Sequence, residues 1–275
     1  MKKTMRFIKQ HAVTIFLVLA FPLSWFPWLL YSQGIGNFPP ILPLGPLLAA
    51  LIVVPLVGGW AGVKSWLSSI FRWHVGLRWY VVAIGLPIII SGAAAGANIL
   101  LGASASTAAL PLSLSAVLYA ILDTFLWVGL GEEAGWSGFA LPRLLRSRSF
   151  FTAVLIMGLV RILWHLPLFM TGQQAWPIAV LLIPVQLIFT WIFIRSQGST
   201  FLLILSHCSQ NVVGGLIFTA LFTGTDQTRM VWLLVSGYVV TAVLLLLTTG
   251  ASFSASSEIQ TIDEGDAGAL SAGLS

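Results

Sequence analysis

The chain has 275 residues, of which 58% are hydrophobic and 8% charged, and its mean hydropathy is +0.97. Soluble domains carry about 25% charged residues, so this composition excludes a water-soluble protein and predicts a polytopic membrane protein. The net charge is +5, but the basic residues stand in short clusters between apolar runs, which is typical of membrane topology and not of nucleic-acid binding. The single cysteine, Cys208, excludes an intrachain disulfide and a multi-cysteine metal site.

Eight apolar runs approach the length of about 20 residues that a transmembrane helix needs. We expect spans at about His11–Tyr31, Ile41–Val63, Trp79–Leu101, Leu114–Leu141, Phe150–Met170, Trp176–Ile194, Phe201–Phe222 and Met230–Thr249. Between the second and third spans, Lys64–Arg78 mixes basic and aromatic residues, which favours either an interfacial helix or a tryptophan-rich loop at headgroup level. The sequence therefore predicts an all-α polytopic bundle of about eight transmembrane helices in the lipid bilayer.

Basic residues are distributed unequally between the two sides of an eight-span chain. Of the 13 lysines and arginines, eleven precede span one or follow spans two, four and six, whereas Arg229 falls on the other side and Arg161 within a span. The positive-inside rule then predicts that both termini are cytoplasmic, in a multi-pass protein of the plasma (inner) membrane. We expect one transmembrane domain over residues 1–249, with a catalytic core at about 114–215, and an acidic, disordered cytoplasmic tail over 250–275.

Two adjacent glutamates, Glu132 and Glu133, interrupt the fourth apolar run. A carboxylate in hydrocarbon is costly unless it is protonated, paired or hydrated, so an intramembrane glutamate indicates a functional site. Glu132 precedes Arg143 by eleven residues, or about 16 Å of helix, which predicts a depth well below the cytoplasmic surface. Adjacent helical residues diverge by about 100°, so we expect the two carboxylates to have different roles.

Polar residues in spans five and seven are candidate partners for the glutamates. Arg161 and His165 are four residues apart, as are His207 and Asn211, so each pair shares a helix face. A glutamate can act as general base on water with a histidine relaying the proton, while a second histidine and an amide donate to an oxyanion. Alternatively, Glu132, His165 and His207 are a plausible zinc set with water as fourth ligand. The structural alternatives are helix-to-helix hydrogen bonds and a glutamate pair without catalytic function.

These residues resemble the motifs of the CPBP family, at about Gly45–Gly215 of this chain. The segment 132–144, which begins Glu-Glu-Ala-Gly-Trp, resembles the first motif of the family. Trp164–Pro167 resembles the second motif, and His207 with Asn211 resembles the third. The CPBP family contains intramembrane proteases, among them type II CAAX prenyl endopeptidases, and bacteriocin-processing or self-immunity proteins.

The resemblance implies a mechanism of direct attack by water. Glu132 would activate the water, assisted by His165. His207 and Asn211 would form the oxyanion site or, in the metalloprotease interpretation, bind a metal. Glu133 would be a supporting carboxylate. The family is often described as glutamic, so zinc stays open as a cofactor.

Two positions depart from the family pattern. The first motif usually ends in arginine where this chain has Ser137, and the second usually has phenylalanine where this chain has Arg161. Because an arginine within a span needs an acidic partner, we predict that Arg161 replaces the missing cation and pairs with Glu133 or Asp123. The alternatives are that Arg161 snorkels or pairs elsewhere, and that the loss of the arginine leaves a weakened or inactive enzyme.

Three functions are compatible with this pattern. The leading one is a CPBP-type endopeptidase that hydrolyses a peptide bond of a peptide or membrane-protein substrate near the cytoplasmic face. The second is a catalytically weakened scaffold or bacteriocin-immunity-type protein with the same fold, which the serine at position 137 favours. The third is a proton-coupled transporter, because buried glutamates and histidines also build proton relays, although the chain shows no inverted repeats of the kind such transporters contain.

Overall fold

A computed structural model of the chain describes residues 2–35, 39–110 and 113–249. The predicted disordered tail, 250–275, lies outside the described residues. Every regular element among the described residues is a helix. The α-helices are α1 (Lys2–Gln10), α2 (Ala12–Ser32), α3 (Gly45–Ile70), α4 (Leu77–Leu100), α5 (Leu114–Asp123), α6 (Gly131–Gly135), α7 (Leu141–Ser147), α8 (Phe150–Trp164), α9 (Leu166–Met170), α10 (Pro177–Arg195), α11 (Thr200–Ser209) and α12 (Gly224–Thr249).

Seven helices in the described part of the chain are long and apolar enough to cross a membrane. They are α2, α3, α4, the continuous helix Leu114–Ser147 that contains α5 to α7, α10, the helix Thr200–Leu221 that begins with α11, and α12. This architecture confirms the prediction of an all-α polytopic membrane bundle.

The predicted fifth span, Phe150–Met170, is divided into two short helices. Helix α8 has 15 residues and ends where His165 forms its C-terminal cap, and α9 adds five more residues. Pro167 lies in the first turn of α9, where its missing N–H costs no helical hydrogen bond. Inside a continuous helix the same proline would remove a bond and clash with the preceding turn. The break places His165 at a helix junction and not on a regular helix face.

Three stretches of the described chain are π-helical, at Thr124–Leu130, Trp136–Ala140 and Gln210–Phe218. The first two flank α6, the short helix that carries both glutamates, and the third follows α11. Single π turns in α-helices occur frequently at functional sites. These segments change the direction in which the following side chains point, which the α-helical spacing of the sequence does not reveal.

Small residues allow α6 to pack closely against the start of α3. A Cβ atom on Gly135 would approach the carbonyl oxygen of Pro46 to 2.4 Å, and one on Gly131 would approach that of Pro43 to 3.0 Å. Such close backbone approach is typical of glycine-containing helix interfaces in membranes. The glycines beside Glu132 and Glu133 therefore fix the position of α6 within the bundle.

The segment between the second and third spans is partly helical. Gly59 adopts φ +59° and ψ −155° inside α3, a conformation that glycine tolerates and other residues avoid. The chain bends there, and the last turns of α3 bury Trp66 and Ile70. The segment Lys64–Arg78, for which we expect either an interfacial helix or a tryptophan-rich loop, thus begins as the end of α3 and continues as a short loop to α4.

Candidate active site

Glu133 lies at the centre of a buried network of polar side chains. Arg161 Nη2 donates to its Oε2 at 2.7 Å, and His207 Nδ1 donates to its Oε1 at 2.8 Å. Ser137, one helical turn along, also donates to Oε2. The Glu133 side chain has no exposed surface, and a carboxylate in such surroundings is stable only when it is paired and hydrogen-bonded. Three donors supply that compensation.

Arg161 is held from the opposite edge by helix α10. Its Nε donates to Gln186 Oε1 at 2.8 Å. Gln186 Nε2 donates in turn to Thr190 Oγ1 at 3.1 Å, and the Thr190 hydroxyl donates to the Gln186 carbonyl at 2.7 Å. Because the guanidinium is planar and its donors form a rigid fork, these bonds fix both its position and its orientation. Of the two acidic partners considered for Arg161, the structure supplies Glu133 and not Asp123.

Glu132 is as deeply buried as its neighbour but is bonded differently. Its side chain is 4% exposed, and its nearest cationic atom is Arg161 Nη1, 3.8 Å from Oε2. That oxygen has no hydrogen-bond partner among the described residues. A buried oxygen without a partner is costly and calls for a functional explanation. The two carboxylates are therefore unequal: Glu133 is fully bonded, and Glu132 retains an oxygen that can accept a proton.

His165 lies at the junction of α8 and α9. Its Nδ1 is 2.7 Å from the carbonyl oxygen of Arg161, and since a carbonyl only accepts, Nδ1 must donate. In the neutral ring Nε2 is then the acceptor. The ring packs edge-on against Trp164 and lies beside Phe169. These contacts hold His165 in one orientation with a basic nitrogen available.

The group closest to a metal-binding geometry differs from the set that the sequence suggests. Ligand atoms of Glu132, Glu133 and His207 lie within 4.8 Å of one another, and His165 is not part of this group. By distance these three residues could hold a metal ion. By charge they fit one poorly, because three donors already bind Glu133 and a guanidinium lies 3.8 Å from Glu132, where it would repel a divalent cation.

Asn211 lines a cavity of about 420 Å³ that begins one helical turn beyond His207. Gln210, Ser91 and Tyr238 also line it, and the hydroxyl oxygens of Ser91 and Tyr238 have no hydrogen-bond partner in the described part of the chain. Its volume falls in the range of about 300–1,000 Å³ that is typical of ligand pockets. Neither glutamate and neither site histidine is among its lining residues, so Asn211 faces a separate space next to the buried network.

Comparison with known proteins finds a family match in the region that contains the site. Residues 113–213 match the family described as "Type II CAAX prenyl endopeptidase Rce1-like". This match supports the assignment of the chain to the CPBP family. A curated relative, CAAX prenyl protease 2 of Methanococcus maripaludis, is 26% identical over 120 residues, a match that covers 39% of this chain. The matched region spans 44% of the length of that relative.

The CPBP motifs account for most of the network but not for all of it. The matched region, 113–213, contains the glutamates, both histidines and Asn211. Gln186 and Thr190 lie on α10, between the second and third motifs, and the sequence motifs do not predict their part in the network. Their signal is a pair of polar residues four apart in an otherwise apolar span. Such a pair predicts a shared polar contact, but the sequence does not indicate its partner.

Proposed function

We propose that this CPBP protein is an intramembrane endopeptidase in which Glu132 activates a water molecule. The family match supports a protease in general. The observation that carries the proposal is the inequality of the glutamate pair: Glu133 accepts from three side chains, whereas Glu132 has a buried oxygen without a partner. A general base needs an unoccupied acceptor within hydrogen-bond reach of the proton that it removes.

In the proposed reaction, the water oxygen attacks the carbonyl carbon of the scissile peptide bond. Glu132 takes the proton of the water, and His165 Nε2 shares it. When the tetrahedral intermediate collapses, the C–N bond breaks and the proton passes to the leaving amine, so the products are a carboxylic acid and an amine. Glu133 accepts from His207 Nδ1 and stabilises the protonated ring, in which both nitrogens carry a hydrogen. The other nitrogen of this imidazolium and the Asn211 amide can then donate to the oxyanion.

We propose that Arg161 replaces the arginine that usually ends the first motif. It binds Glu133 at 2.7 Å from a neighbouring helix, and Ser137, at the position of the missing arginine, donates to the same carboxylate. The supporting glutamate is therefore neutralised without the usual arginine. This pairing favours an active enzyme over the weakened scaffold that the departure at position 137 suggests.

The proposed mechanism needs no metal, because the Arg161 cation already lies beside both carboxylates. Arg161 supplies the positive charge that a zinc ion would otherwise provide beside them. We expect purified active protein to contain less than one equivalent of zinc and to keep its activity in a chelator. Stoichiometric zinc that is lost together with activity, and restored together with it, would favour the metalloprotease alternative.

Cleavage of peptide bonds by the purified protein tests the proposal. The full-length protein in nanodiscs is incubated with a bacterial membrane-protein mixture, and new termini are identified by mass spectrometry. We expect Glu132→Gln to abolish new termini while leaving the free energy of unfolding within about 1 kcal/mol, since the altered oxygen makes no hydrogen bond. Asp226→Asn is the matched carboxylate-to-amide control outside the network, and it should cleave like the wild type.

A non-enzymatic scaffold is the second candidate function. It is favoured by the burial of both glutamates and by their absence from the lining of the 420 Å³ cavity. In that case wild type and Glu132→Gln would yield the same termini, and any cellular phenotype would persist in the variant.

We propose cleavage near the cytoplasmic face of the plasma membrane, which follows from the predicted orientation.

A further inference from the structure

The cavity of about 420 Å³ beside Asn211 is polar but uncharged. Its described lining contains five side-chain amides and the hydroxyl groups of one serine, two threonines and one tyrosine, and it contains no acidic or basic side chain. A charged ligand would find no counter-charge there, and a buried charge without a partner is costly. The composition of the lining therefore favours an uncharged ligand that forms several hydrogen bonds.

Four polar atoms at this cavity have no hydrogen-bond partner within residues 2–35, 39–110 and 113–249. They are the amide oxygens of Gln174 and Gln210 and the hydroxyl oxygens of Ser91 and Tyr238. The residues Ser91 and Tyr238 are only 0% and 3% exposed, and a buried polar atom without a partner is costly. Because an amide oxygen can only accept, the missing ligand must carry N–H or O–H donors.

Glycine keeps the wall of the cavity open at Ser91. A Cβ atom on Gly214 would approach Ser91 Oγ to 3.0 Å, so a larger residue at position 214 would crowd that hydroxyl. The apolar residues Ile178, Leu181 and Leu234 also line the cavity. Polar atoms beside apolar surface suit a peptide, whose main chain forms hydrogen bonds while its side chains occupy apolar pockets.

The cavity lies far from the arginine-bearing end of the bundle. Ile178 is near the start of α10 and Arg195 ends that helix, about 26 Å away along its axis. Asn211, in the lining, comes four residues after His207, which binds Glu133. On the predicted orientation, the cavity is therefore on the extracytoplasmic side of the glutamate network.

We infer that this cavity binds an uncharged stretch of the substrate peptide, on the extracytoplasmic side of the bond that is cleaved. A peptide supplies an N–H donor and a C=O acceptor at each residue other than proline. These groups match the two amide oxygens and the two hydroxyls that lack partners, whereas a lipid acyl chain has neither donor nor acceptor. The inference rests on the proposed protease function, since it identifies the ligand as substrate.

Binding is measured with the full-length Glu132→Gln protein in nanodiscs, so that the peptide is not consumed. The probe is a hexapeptide of alanine and serine with both ends blocked, and binding is followed by native mass spectrometry. One analogue has its main-chain N–H groups methylated, and a second has lysine at its two central positions. We expect saturable binding of the probe and at least tenfold weaker binding of both analogues, because the first lacks donors and the second carries charge.

Two variants made in the Glu132→Gln protein test the cavity itself. Ser91→Ala and Tyr238→Phe each remove one cavity hydroxyl and should weaken binding of the probe about fivefold to tenfold. Neither should lower the unfolding temperature without peptide, since neither hydroxyl has a partner to lose. Ser24→Ala is the matched control, because Ser24 is also fully buried and without a partner but does not line the cavity. It should bind the probe as tightly as the unaltered cavity does.

Three results would overturn the inference. The first is equal binding of the probe by the Ser91→Ala, Tyr238→Phe and Ser24→Ala proteins. The second is binding of the lysine analogue as tight as that of the probe. The third is no saturable binding of any peptide, which would show that water alone fills the cavity.

Cleavage is measured separately, in proteins that keep Glu132. Probe binding with the expected pattern, but no new termini from the wild type, would contradict the protease function and leave a peptide-binding site. New termini that appear at unchanged kcat and KM in Ser91→Ala and Tyr238→Phe would support the protease function and overturn the assignment of this cavity to the substrate.

Discussion

Two arginine–carboxylate pairs in this molecule have nearly the same geometry in different surroundings. Arg161 and Glu133 are 2.7 Å apart, with side chains 4% and 0% exposed. Arg229 and Asp226 are 2.9 Å apart, with side chains 37% and 27% exposed. The contact distances hardly differ, so burial is what distinguishes the two pairs. An exposed pair contributes little to stability, whereas a buried charge that loses its partner is strongly destabilising.

Both arginines are also held by an amide side chain on a neighbouring helix. Arg229 Nε donates to Asn98 Oδ1 at 2.6 Å, as Arg161 Nε donates to Gln186 Oε1 at 2.8 Å. The exposed pair, Arg229 and Asp226, together with Asn98, connects the end of α4 to the start of α12. The buried pair, Arg161 and Glu133, together with Gln186, connects α8, α6 and α10 beside the proposed base, Glu132. The same combination of side chains therefore connects two helix ends in the exposed pair and neutralises a buried carboxylate in the other pair.

Replacing each arginine with methionine should give the largest difference in stability between the two pairs. Arg161→Met leaves Glu133 buried with two donors and no arginine, and we expect it to destabilise the protein by about 3–5 kcal/mol. Arg229→Met should cost about 1 kcal/mol or less. Chemical unfolding in matched detergent measures both values. Similar losses for the two variants would contradict the view that burial decides the strength of these pairs.

Removing the amide acceptor tests the support of the buried arginine. Gln186→Met keeps the shape of the side chain but leaves Arg161 Nε without its acceptor, which should cost about 1–3 kcal/mol. We also expect kcat to fall while KM changes little, because Arg161 acts on Glu133 and not on the substrate. The matched variant Asn98→Met should lower stability less and leave kcat unchanged. A rise in KM with an unchanged kcat would instead show that Gln186 contacts the substrate.

Moving the arginine back to its usual position in the family tests the proposed exchange. Arg161→Phe removes the cation, and Ser137→Arg adds one at a fully buried position, so each single change should destabilise. Combined, they recreate the pattern of the family, and the double variant should be more stable than the sum of the single losses predicts by about 0.5–3 kcal/mol. A double-mutant cycle of unfolding free energies gives this coupling. Additive losses would show that the two positions are independent.

Neutralising the carboxylate of Asp226, in the exposed pair, should have the smallest effect on the free energy of unfolding. Asp226→Asn is expected to cost about 0.2–1 kcal/mol at low ionic strength, and less at 1 M salt, where screening acts within about 3 Å. The measurement is unfolding in two salt concentrations. The loss in Arg161→Met should not depend on salt, because its site is closed to ions. A salt-sensitive loss at Arg161 would show that the central network is hydrated.

The fold and part of the site follow from the sequence, since they depend on strong local signals. Apolar run lengths predict the bundle, and the 100° between neighbouring helical residues predicts that the two glutamates differ. Run length alone does not predict the divided helix at His165, because it ignores the effect of Pro167. Gln186 was missed because a polar residue in an apolar span does not show what it bonds to.

The position of Asn211 differs from the one that regular α-helical spacing predicts. Its four-residue spacing from His207 predicts that both lie on one face, as they would in a regular α-helix. However, Gln210–Phe218 is π-helical, and in such a segment the backbone bonds reach five residues along, so four residues do not complete a turn. Asn211 lines the cavity, whose lining includes none of Glu132, Glu133 and His207. Its proposed role at the oxyanion requires substrate to reach from that cavity into the network.

The ion pair between neighbouring helices also has a consequence for how the chain enters the membrane. The helix Leu114–Ser147 carries two carboxylates and α8 carries the arginine. At mid-bilayer each charge costs about 2.5–3.5 kcal/mol on the scale of insertion by the cellular machinery. The two helices are joined by a turn at Arg148 and Ser149, so they can leave the insertion channel as one hairpin with the charges already paired. Synthesis of α8 is then a condition for releasing the glutamate helix into lipid.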